Sequence, residues 1–198
     1  FDRARTTMRD FPPCAACQAE YDDPRDRRCH AQTIACPACG PRLTLRDATG
    51  QDLAHAHDAL LATAAALQSG RIVAVLGVGG YHLMCDATAA AAVARLRIRR
   101  GRPDKPLALM VRTLSDARAV APVDDIAAGQ LTSPAAPIVL LPRPASLFIA
   151  PDVAPAVATL GIVLAYTPLH HLLLSLVGRP LVATSGNRSD EPMQHQPA

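Results

Sequence analysis

Residues 14–39 read CAACQAEYDDPRDRRCHAQTIACPAC, and this stretch decides how the first part of the chain folds. It holds two C-x-x-C pairs, Cys14 with Cys17 and Cys36 with Cys39, separated by 18 residues. Each pair places two thiolates on one tight turn, which is the spacing typical of a tetrahedral zinc site built from two knuckles. We therefore predict that these four cysteines bind Zn²⁺.

The stretch around the cysteines is polar and has too few apolar residues to build a hydrophobic core. Metal ligation would supply the missing stability. Disulfide bonds are the alternative, but the sequence shows no charged-then-apolar leader and no apolar run near 18 residues. The pattern therefore favours zinc in a cytoplasmic protein with no membrane association. His30, next to Cys29 between the knuckles, is an outside candidate ligand, although a closed site of four cysteines needs no fifth ligand.

Composition indicates a globular chain with room for one ordinary domain and a small module. The chain has 198 residues, of which 49% are hydrophobic and 19% charged. Only 3% are aromatic and none is Trp, so the core must be built from Ala, Val, Leu and Ile. The net charge of +3 decides little about partners.

The organisation changes near residue 50. We predict two parts, a zinc module with its linker at 1–50 and an α/β domain at 51–198. In the second part apolar runs alternate with helical patterns, which indicates a sheet covered on its faces by helices. Strands are expected at 71–76, 107–111, 137–142, 162–165 and 181–184, and helices at 55–69, 87–99, 115–120 and 168–177.

A basic run lies between the second predicted helix and the following strand. On a helix Arg95, Arg99 and Arg102 share one face, and the two prolines around Lys105 then force an extended turn. Arg forks and a Lys point charge together suit an anion with several oxygens, such as a nucleotide triphosphate. The alternatives are a solvated helix face or contact with an RNA backbone.

Two further segments carry candidate binding residues. Thr184, Ser185 and Asn187 follow the last predicted strand, where small residues let backbone N–H groups approach phosphate or acyl oxygens, although an ordinary turn has the same composition. Residues 79–86 begin with two glycines that permit a turn into a cleft, and Tyr81 there could wall a small-substrate pocket. Neither a P-loop nor a nucleophile-elbow motif is present in the sequence.

The combination of motifs resembles one known family. FDRARTTMRDF (1–11) with residues 14–43 is similar to the second zinc finger of the maturation carbamoyltransferases of nickel–iron hydrogenases, the HypF family. Residues 79–111, SPAAPIVLLPR (133–143), TPLHHLLL (167–174) and LVATSGNRSDEP (181–192) resemble that family's YrdC-like domain. Two positions depart from the pattern: Arg100 stands where the family often has Lys, and Cys29 where it often has Phe.

The resemblance implies a fold and a reaction. The fold would be a YrdC-like twisted mixed sheet with flanking helices, C-terminally incomplete, preceded by the zinc finger. Carbamate, released from carbamoyl phosphate by a domain that this sequence lacks, would be adenylated with ATP and Mg²⁺. The carbamoyl group would then pass to the C-terminal cysteine of a hydrogenase maturation partner.

The resemblance also implies roles for single residues. Arg102 and Lys105, with Arg100 in support, would neutralise charge that builds on the phosphates. Ser185, Thr184 and Asn187 would hold nucleotide or acyl oxygens. Tyr81 would line the small-substrate end of the site.

Other functional classes remain open from the sequence. A zinc knuckle with a basic stripe also fits a double-stranded RNA-binding module, which would show a steep salt dependence. YrdC-like domains also occur alone in tRNA threonylcarbamoyl-adenylate synthases, which lack this finger. A scaffold, in which the finger only packs neighbouring domains, is the third alternative.

Overall fold

A computed structural model describes residues 3–101, 104–146, 148–187 and 191–195. Its first part has little regular structure: two 3₁₀ turns (Arg3–Arg5 and Thr7–Asp10), helix α1 (Ala15–Asp22), and strands β1 (Thr44–Arg46) and β2 (Asp52–His55). Polar contacts hold the loops together. The Arg3 guanidinium donates to the carbonyl oxygens of Gln32 and Ile34, both at 2.7 Å, and to that of Phe11 at 2.5 Å.

Strands β1 and β2 form an antiparallel hairpin that spans residue 50, where the sequence divides in composition. The helix α2 follows β2 directly. The boundary between a part at 1–50 and a part at 51–198 stays a prediction.

The second part is built on a six-stranded sheet with the order β3-β4-β8-β5-β7-β6. Strands β5 and β7 pair in parallel, and every other neighbouring pair is antiparallel. The sheet is therefore mixed, and the predicted α/β fold is confirmed. The strands are β3 (Val73–Leu76), β4 (Tyr81–Asp86), β5 (Leu109–Val111), β6 (Val139–Pro142), β7 (Thr159–Leu164) and β8 (Leu181–Ser185).

Helices cover both faces of this sheet. The α2 and α6 helices pack on the face that carries Met84, Leu181 and Ala183. The other three pack on the face that carries Cys85 and Val182. Because side chains alternate along a strand, each residue of β4 and β8 can be assigned to one of these faces. The helices are α2 (Ala56–Gln68), α3 (Ala90–Arg100), α4 (Leu114–Val120), α5 (Asp125–Leu131) and α6 (Pro168–Val177).

Local signals in the sequence explain where the helices begin and end. Thr113 and Asp116 form a capping box at the start of α4, and the Asp124 side chain accepts from the Ala127 N–H at the start of α5. Gly101 and Gly178 end α3 and α6 in the left-handed conformation that glycine adopts without strain. Among the described residues, no helix is both long enough and apolar enough to span a bilayer.

Candidate functional site

The four predicted zinc ligands come together in the first part of the chain. The Sγ atoms of Cys14, Cys17, Cys36 and Cys39 all lie within 4.8 Å of one another. Three of the separations, Cys14–Cys36, Cys36–Cys39 and Cys39–Cys17, are 3.7, 3.8 and 3.7 Å. Zn–S bonds of about 2.3 Å place tetrahedral sulfurs about 3.8 Å apart, whereas a disulfide needs about 2.05 Å. The donor set fits Zn²⁺, and all four cysteines are free thiols.

Backbone geometry positions these thiols. Cys14 occupies the N-cap position of α1, and Cys17 lies buried on the first turn of that helix. The Gly40 N–H donates to the Cys36 carbonyl at 2.7 Å, and a Cβ on Gly40 would lie 3.0 Å from the same oxygen, so this knuckle favours glycine. Nearby backbone N–H groups lower the pKa of Cys39 to about 6, whereas burial raises the pKa of Cys17 to about 12.

His30, the alternative candidate for a zinc ligand, is not part of the cysteine cluster. Among the described residues, the only cluster of His, Cys, Asp or Glu side chains with metal-binding spacing is the four cysteines. His30 instead adopts a left-handed backbone conformation (φ 55°), and its ring contacts that of Tyr21 with 5.4 Å between centroids. The described side chains thus support a zinc site made of the four knuckle cysteines.

The second candidate site is the turn that follows β8. The Ser185 hydroxyl donates to Asn187 Oδ1 at 2.6 Å, and Nη2 of Arg100 donates to the same oxygen at 3.2 Å. Asn187 Nδ2 donates to the Glu191 carbonyl at 2.6 Å. Three residues predicted to act together, from α3 and from the turn, are therefore in direct contact.

Tyr81 lies against the same turn through its backbone. Its carbonyl accepts from the Gly186 N–H at 2.6 Å, and its N–H donates to the Gln194 carbonyl at 2.7 Å. A Cβ on Gly186 would lie 2.9 Å from the Tyr81 carbonyl, so the two strands approach this closely only because residue 186 is glycine. Thr184 is buried and pairs across the sheet with Leu83.

The arginines of the basic run contact different parts of the fold. Arg97 is buried and donates to the carbonyl oxygens of Asp152, Val153 and Lys105, so it holds the loops before β5 and β7. Arg95 donates to the Gly70 carbonyl at 2.5 Å. Arg100, at the end of α3, is the arginine that reaches the turn after β8.

The remaining two predicted cations are placed differently. Lys105 lies exposed on the segment between α3 and β5, where its backbone carbonyl binds Arg97. Arg102 lies outside the described residues. Their predicted role at the phosphates therefore stays a prediction.

A group that the sequence interpretation missed lies beside Ser185. The rings of His82, Tyr166 and His170 contact one another, although the three residues come from β4, the loop after β7 and α6. The 79–86 segment was interpreted as a glycine turn followed by lining residues, so β4 and the side on which His82 lies were not predicted. Histidines within otherwise apolar elements were the signal available in the sequence.

Comparisons with known proteins agree with this description. Residues 65–198 match the family model of Sua5/YciO/YrdC proteins, which carries the description "Telomere recombination". The chain belongs to the Sua5/YciO/YrdC family. Residues 14–46 match a second model, the HypF finger, which agrees with the four-cysteine cluster and supports zinc.

Individual relatives show which members of the Sua5/YciO/YrdC family this chain resembles. Carbamoyltransferase HypF of Rhodobacter capsulatus is 56% identical over 193 residues, which cover 97% of this chain and 25% of the relative. A crystal structure of full-length HypF in the phosphate- and nucleotide-bound form is 39% identical with a TM-score of 0.85, and the match covers 98% of this chain and 25% of that one. The predicted resemblance to the HypF family is confirmed, and the chain spans about a quarter of the length of these relatives.

A more distant match shows the fold alone. The structure of P. abyssi Sua5 complexed with L-threonine has a TM-score of 0.62 at 21% identity, over 69% of this chain and 41% of that one.

Proposed function

We propose that this chain is the carbamate-adenylating part of a carbamoyltransferase of nickel–iron hydrogenase maturation. A carbamate oxygen attacks the α-phosphorus of ATP, the bond from that phosphorus to the pyrophosphate oxygen breaks, and carbamoyl-adenylate and pyrophosphate form. The observation that carries the proposal is the contact of Arg100 and Ser185 at Asn187, in a chain 39% identical to a HypF whose structure was solved with nucleotide.

The described residues support specific roles in this reaction. Negative charge grows on phosphate oxygens that are already anionic, so cations near them stabilise the transition state most. We assign that charge to Arg100, Lys105 and Arg102, of which Arg102 lies outside the described residues. Ser185 and Asn187 bind nucleotide or acyl oxygens, and Mg²⁺ accompanies the ATP phosphates.

The other binding roles follow from the neighbours of the turn. Thr184 supports the turn from within the sheet. Tyr81 lines the small-substrate end at the turn, where its carbonyl accepts from the Gly186 N–H and its N–H donates to the Gln194 carbonyl.

The finger at 1–50 has a structural role, because four cysteines leave zinc no open position for a substrate. The carbamoyl-adenylate formed by the part at 51–198 is the donor for a later transfer, by a different domain, of the carbamoyl group to the C-terminal cysteine of a maturation partner. Six free thiols support a reducing compartment, the cytoplasm.

ATP–pyrophosphate exchange by the purified chain tests the proposal, with carbamate supplied by mixing bicarbonate and ammonia. We expect carbamate-dependent exchange that falls at least tenfold in Ser185→Ala. Ser115→Ala is the matched control, because Ser115 is exposed at the start of α4, away from the turn. Absence of exchange in the unsubstituted chain, or equal loss in both variants, would contradict the proposal.

The same purified chain can be used to test two alternative functions. Arg71, Arg95 and Arg99 line a cavity of about 270 Å³, and such a basic surface also suits double-stranded RNA. RNA affinity that falls steeply with salt and does not depend on ATP would favour this binding function. Exchange that depends on L-threonine with bicarbonate, rather than on carbamate, would favour a tRNA-type adenylating activity.

A further inference from the structure

Three polar rings form a cluster on the α2/α6 face of the sheet. The ring centroids of Tyr166 and His170 lie 4.7 Å apart, those of His82 and His170 5.8 Å, and those of His82 and Tyr166 6.2 Å. The Tyr166 hydroxyl lies 3.4 Å from His82 Nε2, a long contact. All three pairs meet edge to face.

Several nitrogens of this cluster are buried without a partner. His170 is 0% exposed, and neither Nδ1 nor Nε2 of its ring has a hydrogen-bond partner among the described residues. His82 Nδ1 is likewise buried and unpaired within the described part of the chain. Leaving a buried polar atom unpaired forfeits its hydration without compensation, so three such atoms in one cluster indicate a group that binds there.

The cluster adjoins the proposed active site. His82 and Ser185 are direct cross-strand partners on β4 and β8, so their side chains stand side by side on one face of the sheet. Ser185 in turn donates to Asn187, which binds Arg100. The rings therefore lie next to Ser185, and hydrogen bonds through Asn187 link Ser185 to Arg100 at the end of α3.

The two imidazoles are uncharged near neutral pH. Burial lowers the pKa of His170 to about 4, with smaller effects from His82 and His171, and burial also lowers the pKa of His82. A neutral imidazole offers one N–H donor and one acceptor nitrogen. With the Tyr166 hydroxyl, the cluster presents both donors and acceptors and no net charge.

We propose that His82, Tyr166 and His170 bind the carbamate end of the substrate beside Ser185. This inference rests on the proposed adenylation. Carbamate is planar, its oxygens accept hydrogen bonds, and its NH₂ group can donate to an imidazole nitrogen, a contact that acetate cannot make. The uncharged pocket has a kinetic consequence, because the attacking oxygen loses its negative charge as it bonds to phosphorus. A cationic pocket would stabilise free carbamate more than the transition state, whereas neutral donors avoid that loss.

Steady-state exchange kinetics separate this role from a structural one. We expect Tyr166→Phe, which keeps the ring and removes only the hydroxyl, and His170→Asn to raise the KM for carbamate about tenfold. The KM for ATP should stay within about twofold. His171→Asn is the matched control, since His171 is the exposed neighbour on the same helix.

Imidazole NMR gives a second measurement that does not need turnover. With AMP bound, ammonia and bicarbonate mixed to form carbamate should shift the His82 and His170 ring signals, whereas ammonium chloride alone or sodium bicarbonate alone should not. The His171 signal should not move in any of the three solutions.

Two results would overturn the inference. One is an unchanged carbamate KM in Tyr166→Phe and in folded His170→Asn, which would leave the adenylation itself intact. The other is the absence of carbamate-specific ring shifts. If the unsubstituted chain shows no exchange, the proposed function fails, and the NMR titration alone decides whether the rings bind carbamate.

Discussion

The guanidinium of Arg100 donates to Asn187 Oδ1 at 3.2 Å and so joins the last turn of α3 to the turn after β8, 87 residues later. The same oxygen accepts from Ser185 at 2.6 Å. A fixed cation beside a hydroxyl and a glycine turn is preorganised, so it needs little rearrangement when an anion binds.

Replacing Arg100 should weaken nucleotide binding. We expect Arg100→Ala to raise the Kd for ATP about tenfold or more, because it removes a charge-assisted contact and leaves Asn187 with one donor fewer. Arg100→Lys should retain part of the affinity, since the ammonium keeps the charge and loses the planar fork. Calorimetric titration measures both, with exposed Arg118→Ala on α4 as control. Equal affinities in all three variants would remove Arg100 from the site.

Lys105 and Arg102 provide the second test of the phosphate site. Lys105→Ala and Arg102→Ala should each weaken ATP binding by about 1–3 kcal/mol, the range for charge-assisted contacts. Lys105 is exposed and its carbonyl, which accepts from Arg97, is kept in the variant, so its substitution should leave the folded structure unchanged. Titration with ATP should also show a lower salt dependence in each variant. Retained affinity in both would move the phosphates elsewhere.

The proximity of the four cysteines and the position of the turn after β8 could be predicted from the sequence, because both depend on local spacing. A spacing of two residues between cysteines restricts the backbone over a few positions, and so does a glycine that follows a strand. The binding roles of the turn residues stay predictions. The strand β4 was missed because YHLMCD follows two glycines and has no alternating pattern: Leu83, Met84 and Cys85 are apolar on both faces, while His82 and Asp86 place polar groups on a covered face. The contact between His82, Tyr166 and His170 depends on three distant elements, which no local pattern records. Arg97 shows the same limit, since a cation in a basic run turned out to be buried.

Substitution of a cysteine inside the zinc site should have a different effect on zinc binding from substitution of a cysteine outside it. Cys17→Ser and Cys39→Ser should each reduce bound zinc from about one equivalent to near zero. Each should also destabilise the zinc module, because zinc ligation takes the place of a hydrophobic core in it. Cys29→Ser is the matched control, a free cysteine in the same module that stands outside the cluster. Zinc release, measured with a chromogenic chelator after denaturation, checks the stoichiometry. Loss of zinc in Cys29→Ser, or its retention in Cys17→Ser, would contradict the assignment of the four ligands.

A buried carboxylate at the far end of β4 should carry part of the stability. Asp86 is 0% exposed, and its Oδ2 accepts from Arg179 Nη1 at 2.6 Å, while Thr88 donates twice to Oδ1. Arg179→Ala should lower the free energy of unfolding by about 2 kcal/mol, because the carboxylate loses its charged partner. Urea unfolding measures the change. Arg25→Ala, which breaks an exposed pair with Asp23, should cost less than about 1 kcal/mol, and equal losses would refute the distinction.

The buried ring of His170 should make stability depend on pH. Its pKa falls to about 4 in the folded chain, chiefly through burial, against about 6.5 in the unfolded chain. The unfolded state therefore binds the extra proton first as the pH falls, so stability present above pH 6.5 is lost between pH 6.5 and pH 4.

Between pH 7.5 and pH 5 these two pKa values correspond to a full linkage of about 2 kcal/mol. Solvent screening reduces it, so we expect the chain to lose about 1 kcal/mol more than His170→Phe over this range. Urea unfolding at the two pH values measures this difference. His82, Tyr166 and His171, which face or neighbour the ring, are present in both proteins, as are the zinc thiolates, so their own titrations cancel to first order. Parallel pH profiles for the two proteins would mean that folding does not lower the pKa of His170, and the rings beside Ser185 would then present a cation below about pH 6.5.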